Sequence, residues 1–313
     1  MISEQELKSL IGKVLSEINP DELKPELLQS QIEAATASVV KSTNESATII
    51  DDVADDQLVD ITEIDTSEYM AIDNPENREE YMKLKAKTPA RLGIGHAGPR
   101  YKTLTMLRFR ADHAVAIDAV FNDVPDEFIE RNQLVSLQTR VDDKDMYVTR
   151  PDLGRILNDA SIEKLKAEMS RDARFNEAQV QIVVCDGLSS TAITANLENI
   201  LPALKQGLEG YGLKVGKPIF VKYGRVGAMD HVTEVTNADV TVCLVGERPG
   251  LATGESMGAY LTWRGTRGMP EANRTVVSNI HKRGTPSAEA GAHVANIVRK
   301  IADQKMSGVE LKL

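Results

Sequence analysis

Apolar positions fall into three regimes along the chain. At the N-terminus Ile2, Leu7, Leu10, Ile11, Val14, Leu15 and Ile18 recur at helical spacing. Ser3, followed three residues later by Glu6, forms a capping box, and Pro20 ends the element. The spacing predicts a short amphipathic helix with nothing in the sequence beside it, and a weaker helical pattern follows over 26–40. Periodicity then gives way to acid. Asp51, Asp52, Asp55, Asp56, Asp60, Glu63, Asp65 and Glu68 fall within eighteen residues that hold no Lys or Arg. Such a run reads as a solvated, mobile linker. The first helix is therefore a tethered one, which either docks back on the body or binds a partner's groove.

The body begins near Asn74. Asn74-Pro75 with Glu76, Glu79 and Glu80 reads as a helix start, running to about Lys87, and Pro89 breaks it. After the Gly-rich turn 93–98, a long helical pattern covers 103–121, with Leu104, Leu107, Ala111, Ala114 and Ile117 on one face. Pro125 starts a further short helix. From residue 133 apolar runs alternate with helical stretches. Strands are expected at 134–137, 180–184, 218–221, 240–245 and 275–280, and helices at 192–208, 230–237 and 288–302. The alternation argues for a parallel sheet with helices on its faces, because parallel neighbours need crossovers. Strands this apolar are covered on both sides. The expected architecture is α/β, a Rossmann-like parallel sheet flanked by helices. It is preceded by a smaller helical region and a mobile extension, with segments 1–40, 41–73, 74–132 and 133–313.

Composition narrows the partners. A length of 313 residues suggests about two domains, and 42% hydrophobic residues suffice for a core. A net charge of -10 makes nucleic acid an unfavourable partner. No apolar run approaches the roughly 18 residues of a membrane span, and no secretory signal is visible. The two cysteines, Cys185 and Cys243, lie inside apolar runs and read as small core hydrophobes in a cytosolic setting. No Cys/His spacing resembles a zinc site.

Gly93-Ile94-Gly95-His96-Ala97-Gly98 matches a dinucleotide pattern, but no buried strand precedes it and Pro99 follows it. It reads as a turn carrying Arg100 and Lys102. Asp186-Gly187-Leu188-Ser189-Ser190 follows the strand at 180–184; Ser189 or Ser190 can cap the next helix, and the same turn leaves backbone N–H groups for a ligand. Lys222-Tyr223-Gly224-Arg225-Val226-Gly227 and Gly246-Glu247-Arg248-Pro249-Gly250 follow the next two strands. Carboxyl ends of parallel strands form the ligand crevice of open sheets. Three loops rich in Gly and charge at one rim therefore favour contact with a ligand or partner. Pairing of Glu247 with Arg248 or with Arg225 is the competing reading. His281 is a candidate general base, although orienting a loop or meeting a partner explains it more simply.

Taken in order, Gly95-His96-Ala97-Gly98-Pro99-Arg100, Tyr147-Val148-Thr149-Arg150-Pro151-Asp152-Leu153-Gly154-Arg155, Asp186-Gly187-Leu188-Ser189, Tyr223-Gly224-Arg225-Val226, Val245-Gly246-Glu247-Arg248-Pro249-Gly250-Leu251 and Ser278-Asn279-Ile280-His281 resemble the small subunit of ethanolamine ammonia-lyase. The match covers roughly 74–308. The resemblance implies an adenosylcobalamin-dependent lyase that converts ethanolamine to acetaldehyde and ammonia by radical chemistry. In that family a large barrel subunit holds the substrate, and the small subunit completes the cobalamin site. Cofactor contacts carry over to Val226, Glu247 and Val276. At the last position the family often has Cys; Val here implies apolar or backbone contact. Glu247 would accept hydrogen bonds from the cofactor's amide or ribose groups, with the hard chemistry left to the cofactor. Asp112-His113 and Asp230-His231 do not match the D-x-H-x-x-G loop of other cobalamin proteins, so no cobalt ligand is expected from this chain. The resemblance also implies a bacterial microcompartment, with the N-terminal helix as a tag for shell or cargo proteins. The alternatives are an assembly subunit with a non-functional crevice and an independent nucleotide-binding enzyme.

Overall fold

The computed structural model describes residues 60–312 apart from 67 and 89. Contacts divide the chain into Met1–Asp60 and Ile61–Leu313. The helical segments expected at 2–18 and 26–40, and most of the acidic run, lie outside the described residues.

Helix α1 (Arg78–Lys85) starts where the Asn77 side chain accepts the Glu80 amide, later than the Asn74-Pro75 signal. Strands β1 (His96–Ala97) and β2 (Arg100–Tyr101) then form a hairpin around Gly98. The glycine motif therefore sits in a hairpin and not between a sheet strand and a helix. Helix α2 (Thr103–Phe121) has the expected span. Its buried side, however, is Thr105, Asp112, Ala116 and Ala119, while Leu107 and Ile117 are exposed. Asp112 is gripped by Arg91 at 2.6 Å and by Arg108 at 2.9 Å, which turns this polar side inward.

Helix α3 (Asp126–Arg131) follows Pro125 and leads into β3 (Val135–Gln138). Helices α4 (Lys144–Thr149), α5 (Asp159–Arg171) and α6 (Ala173–Asn176) precede β4 (Val180–Cys185). Then come α7 (Ser190–Gly210), β5 (Ile219–Lys222), α8 (Ala228–Thr236) and β6 (Val240–Gly246). Strands β7 (Met257–Trp263) and β8 (Thr275–Ile280) and helix α9 (Ser287–Gln304) complete the order. Ser189, not Ser190, caps α7 by accepting from Ala192 N at 3.0 Å.

The sheet runs β3-β5-β4-β6-β7-β8. Its first four strands are parallel, as expected. Strand β7 was not expected and is antiparallel to both neighbours, so the sheet is mixed. The ten residues 247–256 return the chain as a hairpin arm, too few for the helical crossover a parallel neighbour needs. Strand β8 consequently runs the same way as β6.

Both faces are buried through the centre, which is why the strands read as continuous apolar runs. Ile182, Val184, Val242, Leu244 and Leu261 share a core with residues of α7 and α9. Close approach of those helices depends on Gly291, where a Cβ would stand 2.8 Å from Ile200 O. Val183, Cys185, Val221, Cys243 and Val245 form the opposite core with residues of α5 and α8. Cys185 and Cys243 are fully buried free thiols 3.7 Å apart, small core residues as expected. No helix among the described residues is long and apolar enough to cross a membrane.

His231 on α8 is buried, and its Nδ1 accepts from Leu157 N at 3.1 Å, a bond only the unprotonated nitrogen can make. Burial, then Arg267, lowers its pKa from the ordinary 6.5. Below that value the unfolded chain takes up a proton that the folded chain refuses, so stability falls with pH through this window. Urea midpoints are expected to drop as pH is lowered below 6.5. His231→Asn, whose amide oxygen can accept the same N–H, should flatten that slope; a wild-type slope in the variant would contradict the assignment.

Candidate functional site

In open α/β sheets the usual crevice forms where neighbouring strands send their helices to opposite faces. Here those strands are β4 and β5, followed by α7 and α8 on opposite sides. The chain fills this crevice itself. Asp186, 1% exposed, directly follows β4. One of its oxygens accepts from Tyr223 N at 2.9 Å, and the other accepts from Gly224 N at 2.9 Å and Gly187 N at 3.1 Å. Buried Lys144 donates to it at 3.5 Å. Burial pushes the Asp186 carboxyl up, while Lys144 and the backbone N–H groups of Tyr223 and Gly224 oppose the shift. Tyr147 is buried beside this pair, with the Arg225 guanidinium 4.4 Å from its ring centre. This plug occupies the place a nucleotide would take.

The same turn steadies the next loop. Leu188 N donates to Gly246 O at 3.0 Å, directly before Glu247. The Glu247 carboxylate accepts from the Ser256 hydroxyl at 2.6 Å and from Asn279 N at 3.4 Å. It leans over Gly258, where a Cβ would stand 2.9 Å from Glu247 Oε1 and 3.3 Å from Tyr260 Cε2. Neither Glu247 nor Arg248 forms an ion pair among the described residues. The pairing with each other or with Arg225, considered from sequence, is therefore not made there. His281 is held within its own loop: Nε2 lies 2.8 Å from Asn279 Oδ1, and Nδ1 accepts from Arg283 N.

Val276 is the second residue of β8. It pairs with Tyr260, which pairs with Cys243 in the middle of β6. It therefore lies well below the carboxyl-end rim formed by the loops after β4, β5 and β6. What Glu247 and Val276 share is a sheet face. Alternation along β7 sends Met257, Ala259 and Leu261 into one core and Gly258 and Tyr260 to the opposite side. On that side α8 packs on β4 and β6. Beyond it Tyr260 is half-buried, and Val276 is 45% exposed. Val226 lies on this side too, half-buried against the same core in the turn into α8.

A cavity of about 320 Å3 is lined by Gly227, Asp230, Glu271 and Arg274 among others. The side chains of Asp230 and Arg274, both 2% exposed, meet through two 2.8 Å hydrogen bonds. This pair ties α8 to the start of β8, and so the segment of Val226 to that of Val276. A cavity of about 490 Å3 lies elsewhere, along α2 and the 250–255 loop, and holds none of the three residues. Gly258, Tyr260 and the Asp230–Arg274 pair were missed from sequence. The clean alternation of Met257-Gly258-Ala259-Tyr260-Leu261-Thr262-Trp263 was the signal that could have found the first two. Among the described residues no group of three or more His, Cys, Asp or Glu is placed to hold a metal ion.

Fold and site together define a mixed α/β chain in which a fixed carboxylate stands at the head of a partly exposed strip of sheet. The model of the ethanolamine ammonia-lyase light-chain family matches residues 78–312. The ethanolamine ammonia-lyase small subunit of Clostridium tetani is 51% identical over 313 residues, covering 100% of both chains. That of Fusobacterium nucleatum is likewise 51% identical over 313 residues. That of Listeria innocua is 46% identical over 311 residues, 99% of this chain and 100% of that one. The chain belongs to the ethanolamine ammonia-lyase light-chain family.

Asp186→Ala removes the acceptor of three backbone N–H groups and the nearer, buried carboxylate of Lys144, leaving it only Asp123 at 3.8 Å. Loss of one member of a buried ion pair costs about 3–5 kcal/mol. A decrease of that size in the unfolding free energy by urea titration is expected, and a change within 0.5 kcal/mol or so, the scale of an ordinary surface substitution, would contradict it.

Proposed function

We propose that this chain completes the adenosylcobalamin site of an ethanolamine ammonia-lyase, working against a large catalytic subunit in the conversion of ethanolamine to acetaldehyde and ammonia. The observation that carries this reading is the Glu247 carboxylate, fixed over Gly258 at the head of a sheet strip that ends in exposed Val276. Membership of the family supplies the reaction class, a carbon–nitrogen lyase.

The residues present fit the cofactor. A corrin edge is rich in methyl groups and amides. Val276 and Val226 offer apolar contact, and Glu247 offers acceptors. Each Glu247 oxygen has one donor from the chain, which leaves lone pairs for amide N–H or ribose hydroxyl groups. When bound, adenosylcobalamin supplies radicals by homolysis of its cobalt–carbon bond. The work of this chain is to bind and orient. Glu247 is an anchor in this reading and not a catalytic acid or base.

Glu247→Ala in the two-subunit enzyme is expected to weaken cofactor binding by about 1.5–3 kcal/mol, the range for hydrogen bonds to a charged group. Gly258→Ala should weaken it in the same direction, because its methyl must displace the flexible end of Glu247 rather than backbone. Spectroscopic titration with cobalamin measures both, and an unchanged dissociation constant in Glu247→Ala would sink the reading.

The same reading places the enzyme in a bacterial microcompartment, with residues 1–40 as the tag for shell or cargo proteins. Deleting 1–40 is expected to leave specific activity intact and to disperse a fluorescently labelled enzyme through the cell. Retained puncta, or lost activity in the purified truncated complex, would count against a targeting role.

A further inference from the structure

We propose that Tyr260 is a further cofactor-binding residue, whose ring is the floor between Glu247 and Val276 and whose hydroxyl donates to a carboxamide oxygen of the ligand. The proposal rests on the cofactor reading above and adds a residue that neither the loop motifs nor the carried-over contacts include.

Three observations place Tyr260 there. First, Glu247 Oε1 and Tyr260 Cε2 both stand close to the open position of the missing Gly258 Cβ, at 2.9 and 3.3 Å. The carboxylate and the ring edge therefore form one continuous surface. Second, Tyr260 lies directly across the ladder from Val276. A flat ligand that touches both Glu247 and Val276 has to lie over the ring between them. Third, the Tyr260 hydroxyl has no hydrogen-bond partner among the described residues, although the residue is half-buried. Aromatic residues with one wet polar end are suited to such surfaces.

Chemistry fixes the hydroxyl's role. Burial raises its pKa, and the charges of Glu247 and Glu271 add to the shift while Arg274 opposes it. The phenol therefore stays protonated and can donate. Glu247 beside it can only accept in its ionised form. The two groups together read both ends of a carboxamide: Glu247 takes the N–H and Tyr260 gives to the C=O. A ligand carrying carboxylates in place of amides would lose the first contact and meet a like charge, so the pair also selects for the amidated form of the corrin.

The test uses the complex of this chain with its large partner, titrated with cyanocobalamin and followed by its visible spectrum. Tyr260→Phe, Tyr260→Ala and Glu247→Ala are compared with the parent. Tyr260→Ala is expected to raise Kd by about tenfold or more and Tyr260→Phe by about threefold, in line with loss of ring contact and of one neutral hydrogen bond. In turnover with adenosylcobalamin the KM for cofactor should rise while kcat at saturation stays within about twofold, the signature of lost binding common to ground and transition states. Parent-like Kd in both Tyr260 variants, beside weakened Glu247→Ala, overturns the role of Tyr260 alone. Parent-like Kd in all three overturns the cofactor reading and this proposal with it. If Tyr260→Ala fails to assemble, the isosteric Tyr260→Phe decides.

Discussion

The burial of the Asp186 carboxylate organises the rest of the sheet's upper edge. Taking a charge out of water costs several kcal/mol after relaxation. The structure offsets that cost with backbone donors from two strand ends and with Lys144. Because the donors belong to Tyr223 and Gly224, the end of β5 is tied to the end of β4. Because the Asp186 turn also bonds Gly246, the end of β6 is tied to both. A non-Gly residue at positive φ, Tyr223 at 54°, is part of the same arrangement. Such a conformation costs about 1–3 kcal/mol and persists only where neighbours over-determine it.

One consequence concerns where a ligand can reach the sheet. The plug of Asp186, Lys144 and Tyr147 closes the switch point between β4 and β5, and the contacts proposed above for Tyr260 and Val276 lie instead beyond β6, along β7 and β8. The topology there supplies an opening. A parallel connection brings a crossover helix that covers the sheet face. The β6–β7–β8 turns bring none on the side of Tyr260, because a hairpin arm returns without a helix. On the other side α7 and α9 extend over β7. The antiparallel edge thus produces a strip buried below and open above. The strip exists because the sheet departs from the all-parallel arrangement.

That departure also explains what sequence could and could not reveal. The strands at 180–184, 218–221, 240–245 and 275–280 and the helix at 103–121 were legible because long apolar runs and helical periods are local signals. Strand β7 was not, since Gly258 and Thr262 interrupt its apolar run and only the alternation marks it. The exposed side of α2 was misleading for another reason. Its apolar stripe is real, but the ion pairs at Asp112 decide which side turns inward, and Arg91 lies outside the helix. Glu247 and Val276 were named through resemblance to a family. Their common face depends on a register that only the pairing of β7 reveals, and Tyr260 follows from the same register.

The position of Glu247 is set by backbone proximity more than by charge. A Cβ at Gly246 would stand 2.0 Å from Ser189 O, and one at Gly187 would stand 2.3 Å from Gly246 O. These two glycines let the loops pack backbone to backbone, which fixes where the next residue leaves the strand. Gly258 then leaves room for the Glu247 side chain, and Ser256 and Asn279 N hold its end. An anchor held this way loses little side-chain freedom when a ligand arrives, and such preorganisation cuts the cost of binding. It also has no cation partner among the described residues, so beyond the Ser256 and Asn279 donors the acceptor capacity of Glu247 is not spent within the chain. A salt-bridged carboxylate at the same place would be as well fixed but less available.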